Sequence, residues 1–303
     1  MTTAKYYINP FEDSLGPEED YPREITVAEY DELAEAVEVI DALWFIEEYY
    51  DNLLQNAVDF ETAVARLEAE QRVNVSSFPD EVDRESRLLN RLMSNFLSTS
   101  RSFKDGTPAR LSHSSVLGKD KNKRAQFDKL FSVQFDAHLS YRLFDGLRNH
   151  VQHQGVAIHQ TLTWRRDVTF KSTGVTTNML FVTPQIFSDV LIANDVIRSA
   201  TRAEIAATKE PMIDVLPHLA IYLKCFASIM NGTRELYEPE YTVAVASHHR
   251  IMKKHISGDW ASALIAPVDD PLRSSLSVSQ HNLRRLERIR LRNTGRDPQA
   301  DHP

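Results

Sequence analysis

The sequence predicts a mainly α-helical protein with a small antiparallel β insert. Apolar residues recur every three or four positions over long stretches, which is the period of an amphipathic helix. Only 9 of the 303 residues are glycine, and apolar residues make up 42% of the chain. After residue 155 the helical period gives way to short β-prone runs. A chain of this length can bury a substantial core.

Two helices are predicted before residue 100. The first runs from Thr26 to about Arg72, and Thr26 with Glu29 has the spacing of a capping box. Its pattern fits either one very long helix or two helices with a kink near 56–59. Pro79 suits the first turn of the second helix, because the N–H that proline lacks has no partner at that position anyway.

A third helix is predicted from about Arg124 to Gln154, after a loop over 104–123. Its apolar row repeats every four residues and therefore drifts around the helix to cover a wide arc, as expected of a central helix. The row consists of Phe127, Phe131, Phe135, Leu139, Leu143, Leu147 and Val151. Gly155 follows as a predicted left-handed terminator.

The β insert is predicted over 156–185. Val156–Trp164, Val168–Phe170 and Met179–Thr183 are β-prone, and Lys171–Gly174 supplies a turn between the last two. We expect a hairpin or a three-stranded antiparallel sheet.

Helices are predicted to resume over 186–207 and from Met212 to about Ile256, punctuated by Pro217 and by Asn231–Gly232. A last, basic helix is predicted over Gln280–Arg292. The predicted organisation is a flexible acidic leader (1–24), a helical bundle (25–155), the β insert (156–185), a C-terminal helical region (186–293) and a disordered tail (294–303).

Charge and cysteine content narrow the class of protein. The net charge is −8, but residues 1–75 hold 19 acidic against 4 basic side chains, so the remainder is positive. That remainder could face a polyanion or could be solvated helix surface. The single cysteine, Cys225, excludes an intramolecular disulfide and is expected to be a buried thiol. Without a predicted signal peptide or membrane span, we expect a cytoplasmic protein.

The polar residues at the end of the third predicted helix form the candidate site. Arg148, Asn149, His150 and His153 lie within six positions, after a strongly apolar helix and before Gly155. The Arg–His spacing alone carries no information, because similar pairs occur elsewhere in the chain at the frequency that chance predicts. The small polar residue after the arginine, the apolar helix before it and the glycine after it distinguish this pair.

This combination resembles the motif of the HEPN superfamily, in which an arginine is followed by a polar residue, a few further residues and a histidine. The resemblance covers roughly 26–155 and is specific over about six residues, Arg148 to His153. It implies a HEPN-like helical bundle, commonly a homodimer, and it does not explain the β insert or the additional C-terminal helices. It further implies a metal-independent endoribonuclease of toxin–antitoxin, abortive-infection or antiviral systems, with RNA as substrate, an antitoxin or regulatory protein as a possible partner, and no cofactor.

The residues suit that chemistry. We expect His153 to transfer protons as general base or acid and Arg148 to stabilise the phosphate. Asn149, at i,i+4 from His153, could orient its ring, and His150 is a possible accessory group. Arg148 and His153 are about 140° apart on a straight helix, so two copies related by a two-fold axis would bring them together more easily than one.

Other interpretations stay open. A polar helix end whose Arg and His bind carbonyls and acids is an ordinary structural feature, and the same motif could serve a non-catalytic dimerisation or partner-binding protein. Two histidine sets are conceivable metal ligands, but no cysteine or HExxH pattern supports them, so no metal site is predicted. They are His150, His153 and His159, and His248, His249 and His255.

Overall fold

The computed structural model of the chain describes residues 6–10, 22–73, 79–153, 155–256, 262–267 and 275–294. Those residues form eight α-helices and seven β-strands, which confirms the mainly helical class with antiparallel sheets. The helices are α1 (Val27–Val73), α2 (Pro79–His113), α3 (Lys121–Ala137), α4 (Leu139–His153), α5 (Ser188–Ala193), α6 (Ser199–Thr208), α7 (Val215–His255) and α8 (Gln280–Thr294). The strands are β1 (Tyr6–Pro10), β2 (Arg23–Ile25), β3 (Gln160–Thr169), β4 (Thr176–Phe187), β5 (Met212–Asp214), β6 (Ser262–Pro267) and β7 (Leu276–Ser279). No helix in these ranges is long and apolar enough to cross a membrane.

The chain divides into two compact units, each assembled from separate stretches of sequence. The first unit takes the described residues of Met1–Asp51, Lys104–Asp128 and Asn231–Pro303. The second takes those of Asn52–Phe103 and Lys129–Met230. The predicted segments 25–155, 156–185 and 186–293 are each continuous in sequence. Helices α1, α2, α3 and α7 contribute residues to both units.

Helix α1 begins at the predicted capping box. The backbone N–H and the hydroxyl of Thr26 donate to Glu29 Oε2 at 3.1 and 3.0 Å, and the Glu29 N–H donates to Thr26 Oγ1 at 3.2 Å. The helix then runs without a break to Val73, so the alternative of two helices is wrong.

Within the first unit, part of the predicted flexible leader is ordered. Strand β1 lies between β2 and β6 in an antiparallel sheet of order β2-β1-β6-β7, and Ile8 is fully buried in the core of this unit. The acidic composition of the rest of the predicted leader, which begins at Glu12, obscured a short run of β-prone side chains at Tyr6–Ile8. Residues 1–5 and 11–21 of the predicted leader lie outside the described residues.

Strands β6 and β7 also correct the prediction, because they fall in the region 186–293 that was predicted to be helical. Ile265 of β6 and Val278 of β7 are completely buried beside Ile8 and Ile251. A six-residue and a four-residue strand are too short to show a clear period of two. The last helix, α8, confirms the prediction, and the predicted tail beyond residue 294 lies outside the described residues.

Helix α2 is longer than predicted, because 104–113 is helical although a loop was predicted there. Phe103 and Leu111 are buried two turns apart on one face, so packing extends the helix through Gly106 and Pro108. A short connection over 114–120, which contains the 3-10 turn Leu117–Lys119, separates it from α3.

The single helix predicted over 124–154 is wrong, because α3 and α4 are separated at His138. Arg142 stabilises the break. Its Nη1 donates to the carbonyl oxygens of Phe135 (2.5 Å) and Asp136 (2.9 Å), which α3 leaves free at its end. The rest of the guanidinium binds both carboxylate oxygens of Glu204 at 2.7 to 3.0 Å. The apolar row continues across the break, so periodicity could not reveal it.

The β insert is confirmed as an antiparallel hairpin of β3 and β4, to which β5 adds a short third strand. The two β-prone runs predicted before residue 171 belong to one strand, β3, and an extended Lys171–Gly174 turn follows. Gly174 has a φ of +68°, which glycine adopts at no steric cost.

The core of the second unit is aromatic, and α7 contributes part of it. Its rings pack in edge-on and stacked pairs, with centroids 4.8 to 6.4 Å apart. They belong to Phe96, Phe103, Phe131, Tyr141, Phe144, Tyr222 and Phe226. Pro217 is the third residue of α7, where its missing N–H is harmless, and Asn231–Gly232 lies inside the helix instead of interrupting it.

Candidate functional site

The four predicted site residues lie in the last two turns of α4, which the second unit contains whole. The four side chains differ in their exposure to solvent. His150 is 5% exposed, Arg148 and Asn149 are half-buried, and His153 is exposed to solvent. The helix end therefore presents one histidine to solvent and keeps the other inside the protein.

A buried hydrogen bond holds His150 in place. The Asn194 Nδ2 group donates to His150 Nδ1 at 2.6 Å, and Asn194 itself is 4% exposed. The direction of this bond is set by the other end of the amide, where Asn194 Oδ1 accepts from the Val196 N–H at 3.0 Å. His150 Nδ1 is thus an acceptor, and the proton of the neutral ring sits on Nε2.

The protonation state of His150 follows from its surroundings. Burial lowers the pKa of His150 below its ordinary value, and the backbone of Val156 opposes that shift. His159, whose ring centroid is 6.0 Å away, has a pKa that is lowered by burial first and by His150 second. A neutral His150 is a poor candidate for the cationic partner of a phosphate.

Gly155 is explained by its closeness to the same ring. A Cβ atom at residue 155 would lie 2.8 Å from His150 Nε2 and 3.2 Å from Cε1. The Gly155 N–H donates to the His150 carbonyl oxygen at 3.3 Å. The absent side chain therefore leaves space for the histidine. The predicted left-handed conformation is not tested, because Gln154, which helps define the φ of Gly155, lies outside the described residues.

The segment after the motif is fixed by α2. Asn90 accepts from the Ile158 N–H at 2.8 Å and donates to the Ile158 carbonyl oxygen at 2.9 Å, as a neighbouring strand would. Ala157 and Ile158 are buried as a result. Asn90 of α2 thus has a structural function, because it holds the segment that leads from His153 to β3.

Arg148 and Asn149 are linked to each other. Arg148 Nη1 donates to Asn149 Oδ1 at 3.0 Å. Asn149 makes no hydrogen bond with His153 in the described part of the chain, so the expected orienting contact is not formed. Arg148 Nε is buried and has no hydrogen-bond partner among the described residues. Such a donor is costly to leave unsatisfied.

His159 has a structural position. Its ring stacks on Phe187 with centroids 5.4 Å apart, and its Nδ1 accepts from the Phe187 N–H at 3.3 Å. The ring is thus part of the packing between the residues before β3 and the end of β4.

A serine–histidine pair that sequence reasoning missed lies at the other end of α4. Ser140 Oγ is 2.9 Å from His218 Nδ1, and burial lowers the pKa of His218 while Asp214 opposes the shift. Ser140 is 3% exposed, and the Asp214 carboxylate accepts from the Leu216 N–H at 3.0 Å. The residues are 78 positions apart in sequence, so no local pattern could have indicated them. A sealed hydroxyl of this kind holds helices together and cannot reach a substrate.

Other candidate groups do not form sites. Cys225 is 2% exposed, and burial raises the pKa of its thiol to about 11, as expected of a core cysteine. In the residues that the structure describes, no three His, Cys, Asp or Glu side chains converge to hold a metal ion. The rings of His248 and His249 are 5.8 Å apart and nearly perpendicular.

The arrangement can bind an anion and exchange a proton at the same helix end. Arg148 supplies donors from a half-buried position, and His153 supplies an imidazole that solvent reaches. Comparisons with protein-family models, with curated proteins and with solved structures find no match to this chain.

Replacing Gly155 by alanine tests the close approach to His150. Gly155→Ala should lower the free energy of unfolding by about 1–3 kcal/mol, because the new methyl group forces the buried ring from its hydrogen bond with Asn194. In a His150→Ala background the same change should cost at least about 1 kcal/mol less, since the ring is gone. Urea unfolding of the four chains measures this. An equal loss of unfolding free energy in both backgrounds would show that the His150 ring is not the reason why residue 155 must be glycine.

Proposed function

We propose that the chain is a metal-independent endoribonuclease of HEPN type, with Arg148, Asn149 and His153 as its reactive set. One observation carries the proposal. The end of α4 combines a solvent-exposed His153 with a half-buried Arg148, whose guanidinium is held by the side-chain oxygen of Asn149. The buried His150 keeps that end in place and takes no part in the reaction.

The proposed reaction is cleavage of RNA by its own 2′-hydroxyl group. A general base takes the 2′-hydroxyl proton, O2′ bonds to phosphorus, and the bond from phosphorus to O5′ breaks. A general acid protonates the leaving O5′, which gives a 2′,3′-cyclic phosphate and a 5′-hydroxyl end. His153 serves as base or acid. The Arg148 guanidinium stabilises the charge on the phosphate oxygens, and Asn149 holds the guanidinium through its side-chain oxygen.

The proposal includes a homodimer. Arg148 and His153 lie about 140° apart around α4, which separates them on one copy. A two-fold axis near the helix end would place Arg148 of one copy beside His153 of the other. A role in defence or stress response in the cytoplasm, with an antitoxin or regulatory partner, completes the proposal and rests on the resemblance of the motif.

Incubation with single-stranded RNA in the presence of EDTA tests the activity. We expect the unaltered chain to cleave RNA to products with cyclic phosphate ends. His153→Ala should lower the rate at least about 100-fold because the proton-transfer group is lost. Arg148→Ala should lower it by a similar factor because a donor to the transition state is lost. Gel electrophoresis of end-labelled RNA measures both.

Matched variants control for folding and for impurities. His113 is also an exposed histidine in the last turn of a helix, and Arg202 is also a half-buried arginine. His113→Ala and Arg202→Ala should cleave like the unaltered chain. Cleavage that survives both Arg148→Ala and His153→Ala would overturn the proposal, as would a folded chain that leaves RNA intact.

Mixing the two inactive variants tests the shared site. In a dimer that contains one Arg148→Ala copy and one His153→Ala copy, one composite site retains both residues and the other loses both. Equal mixing with subunit exchange should therefore restore about a quarter of the original rate. Recovery to that level supports a site built across two copies. A mixture as inactive as its components, with exchange verified by a labelled chain, would contradict it.

A further inference from the structure

The second unit contains an arginine-lined cleft that the reactive set does not use. It lies between the end of α1 and the start of α2 and encloses about 580 Å3. Its charged side chains are Arg66 and Glu70 from α1 and Arg84, Glu85, Arg87 and Arg91 from α2. Among the described lining residues, four guanidinium groups stand against two carboxylates.

The arginines of α2 form one stripe. Arg84, Arg87 and Arg91 follow the spacing i, i+3, i+7, which places them within about 60° of one another around the helix and along roughly 10 Å of its axis. All three are exposed, and none makes a salt bridge or hydrogen bond with the described residues. Among the described residues, no carboxylate therefore competes with an external anion for the stripe.

The two carboxylates of the described lining, Glu70 and Glu85, lie apart from this stripe. Glu70 lies 2.7 Å from Arg66, one turn away on α1, so that pair is satisfied on its own helix. Glu85 lies one position after Arg84 and is directed about 100° away from it around α2. The apolar part of the cleft is formed by Ala63, Leu67 and Leu88.

We propose that this cleft binds the phosphate backbone of single-stranded RNA. Guanidinium forks bind phosphate oxygens in pairs, and a cleft lined by one sign of charge concentrates a polyanion. The length of the stripe suits a ligand with repeated charges better than a single small anion. Because the described lining holds no aromatic ring for bases to stack on, recognition is through the backbone and is independent of sequence.

The cleft is connected to the reactive set through α2. Asn90, which holds Ile158 by two hydrogen bonds, precedes Arg91 directly and follows Arg87 by three positions. The helix that carries the stripe therefore also fixes the chain that follows His153. The choice of RNA as the polyanion rests on the proposed function, whereas the binding of a phosphate backbone rests on the arginines alone.

Removal of two arginines tests the proposal in the full chain. The experiment uses the His153→Ala background, so that RNA is not consumed, and a fluorescent 20-nucleotide single-stranded RNA. Arg87→Gln/Arg91→Gln should weaken binding at least about 10-fold at low salt. It should also reduce the slope of log K against log salt by roughly 1.4, at about 0.7 per phosphate contact. Fluorescence anisotropy over a range of salt concentrations measures both quantities.

A second charge-matched variant distinguishes the cleft from general attraction. Arg165 and Lys171 are exposed in the same unit, on and after β3, and lie outside the cleft. Arg165→Gln/Lys171→Gln should leave both affinity and slope close to those of the parent. Equal losses in the two double variants would overturn the proposal. Displacement of the RNA by poly-glutamate at equal charge and ionic strength would also overturn it, because the site would then select acidic protein.

The outcomes separate this proposal from the catalytic one. If the cleft binds RNA but the chain with His153 intact does not cleave it, the cleft stands and the nuclease proposal fails. If cleavage depends on His153 but the KM for RNA is the same in the Arg87→Gln/Arg91→Gln variant, the nuclease proposal stands and the cleft proposal fails. Circular dichroism and a thermal unfolding curve confirm that each variant is folded.

Discussion

The candidate site depends on the hydrogen bond between Asn194 and His150. Asn194 ends α5, and His150 lies in the last turn of α4, so the bond fixes the helix end to a segment 44 residues further along the chain. The glycine at 155 is compatible with the ring only because it has no side chain. Asn90 fixes the continuation at Ile158. Two polar contacts and one steric requirement thus fix the end of α4 that carries Arg148 and His153.

The parts of the fold that could be predicted are those that local pattern controls. The Thr26–Glu29 capping box and the long α1 follow from spacing, as do the hairpin strands and α8. The errors occur where contacts between residues far apart in the sequence determine the secondary structure. The end of α3 is stabilised by Arg142 together with Glu204, and β1 becomes a strand because it pairs with β6, more than 250 residues away. Neither partner is visible in the local sequence.

The position of the candidate site could be predicted from the sequence, but the different structural roles of its residues could not. Arg148, Asn149, His150 and His153 are consecutive enough for local pattern to group them. Which histidine is buried depends on Asn194, and which donor Asn149 binds depends on side-chain conformation. The arginine stripe on α2 follows a helical period that could have been noticed. Its cleft could not, because the wall from α1 is defined by packing.

The most direct test of this account is the titration of His150 by nitrogen NMR, in a chain labelled at its histidines and assigned with a His150→Gln variant. Burial and the Asn194 donor predict a neutral ring with its proton on Nε2, which persists as the pH is lowered through the ordinary pKa of 6.5. Titration of His150 at or above 6.5, or a proton on Nδ1, would contradict the account, because the buried bond that holds the helix end would not exist.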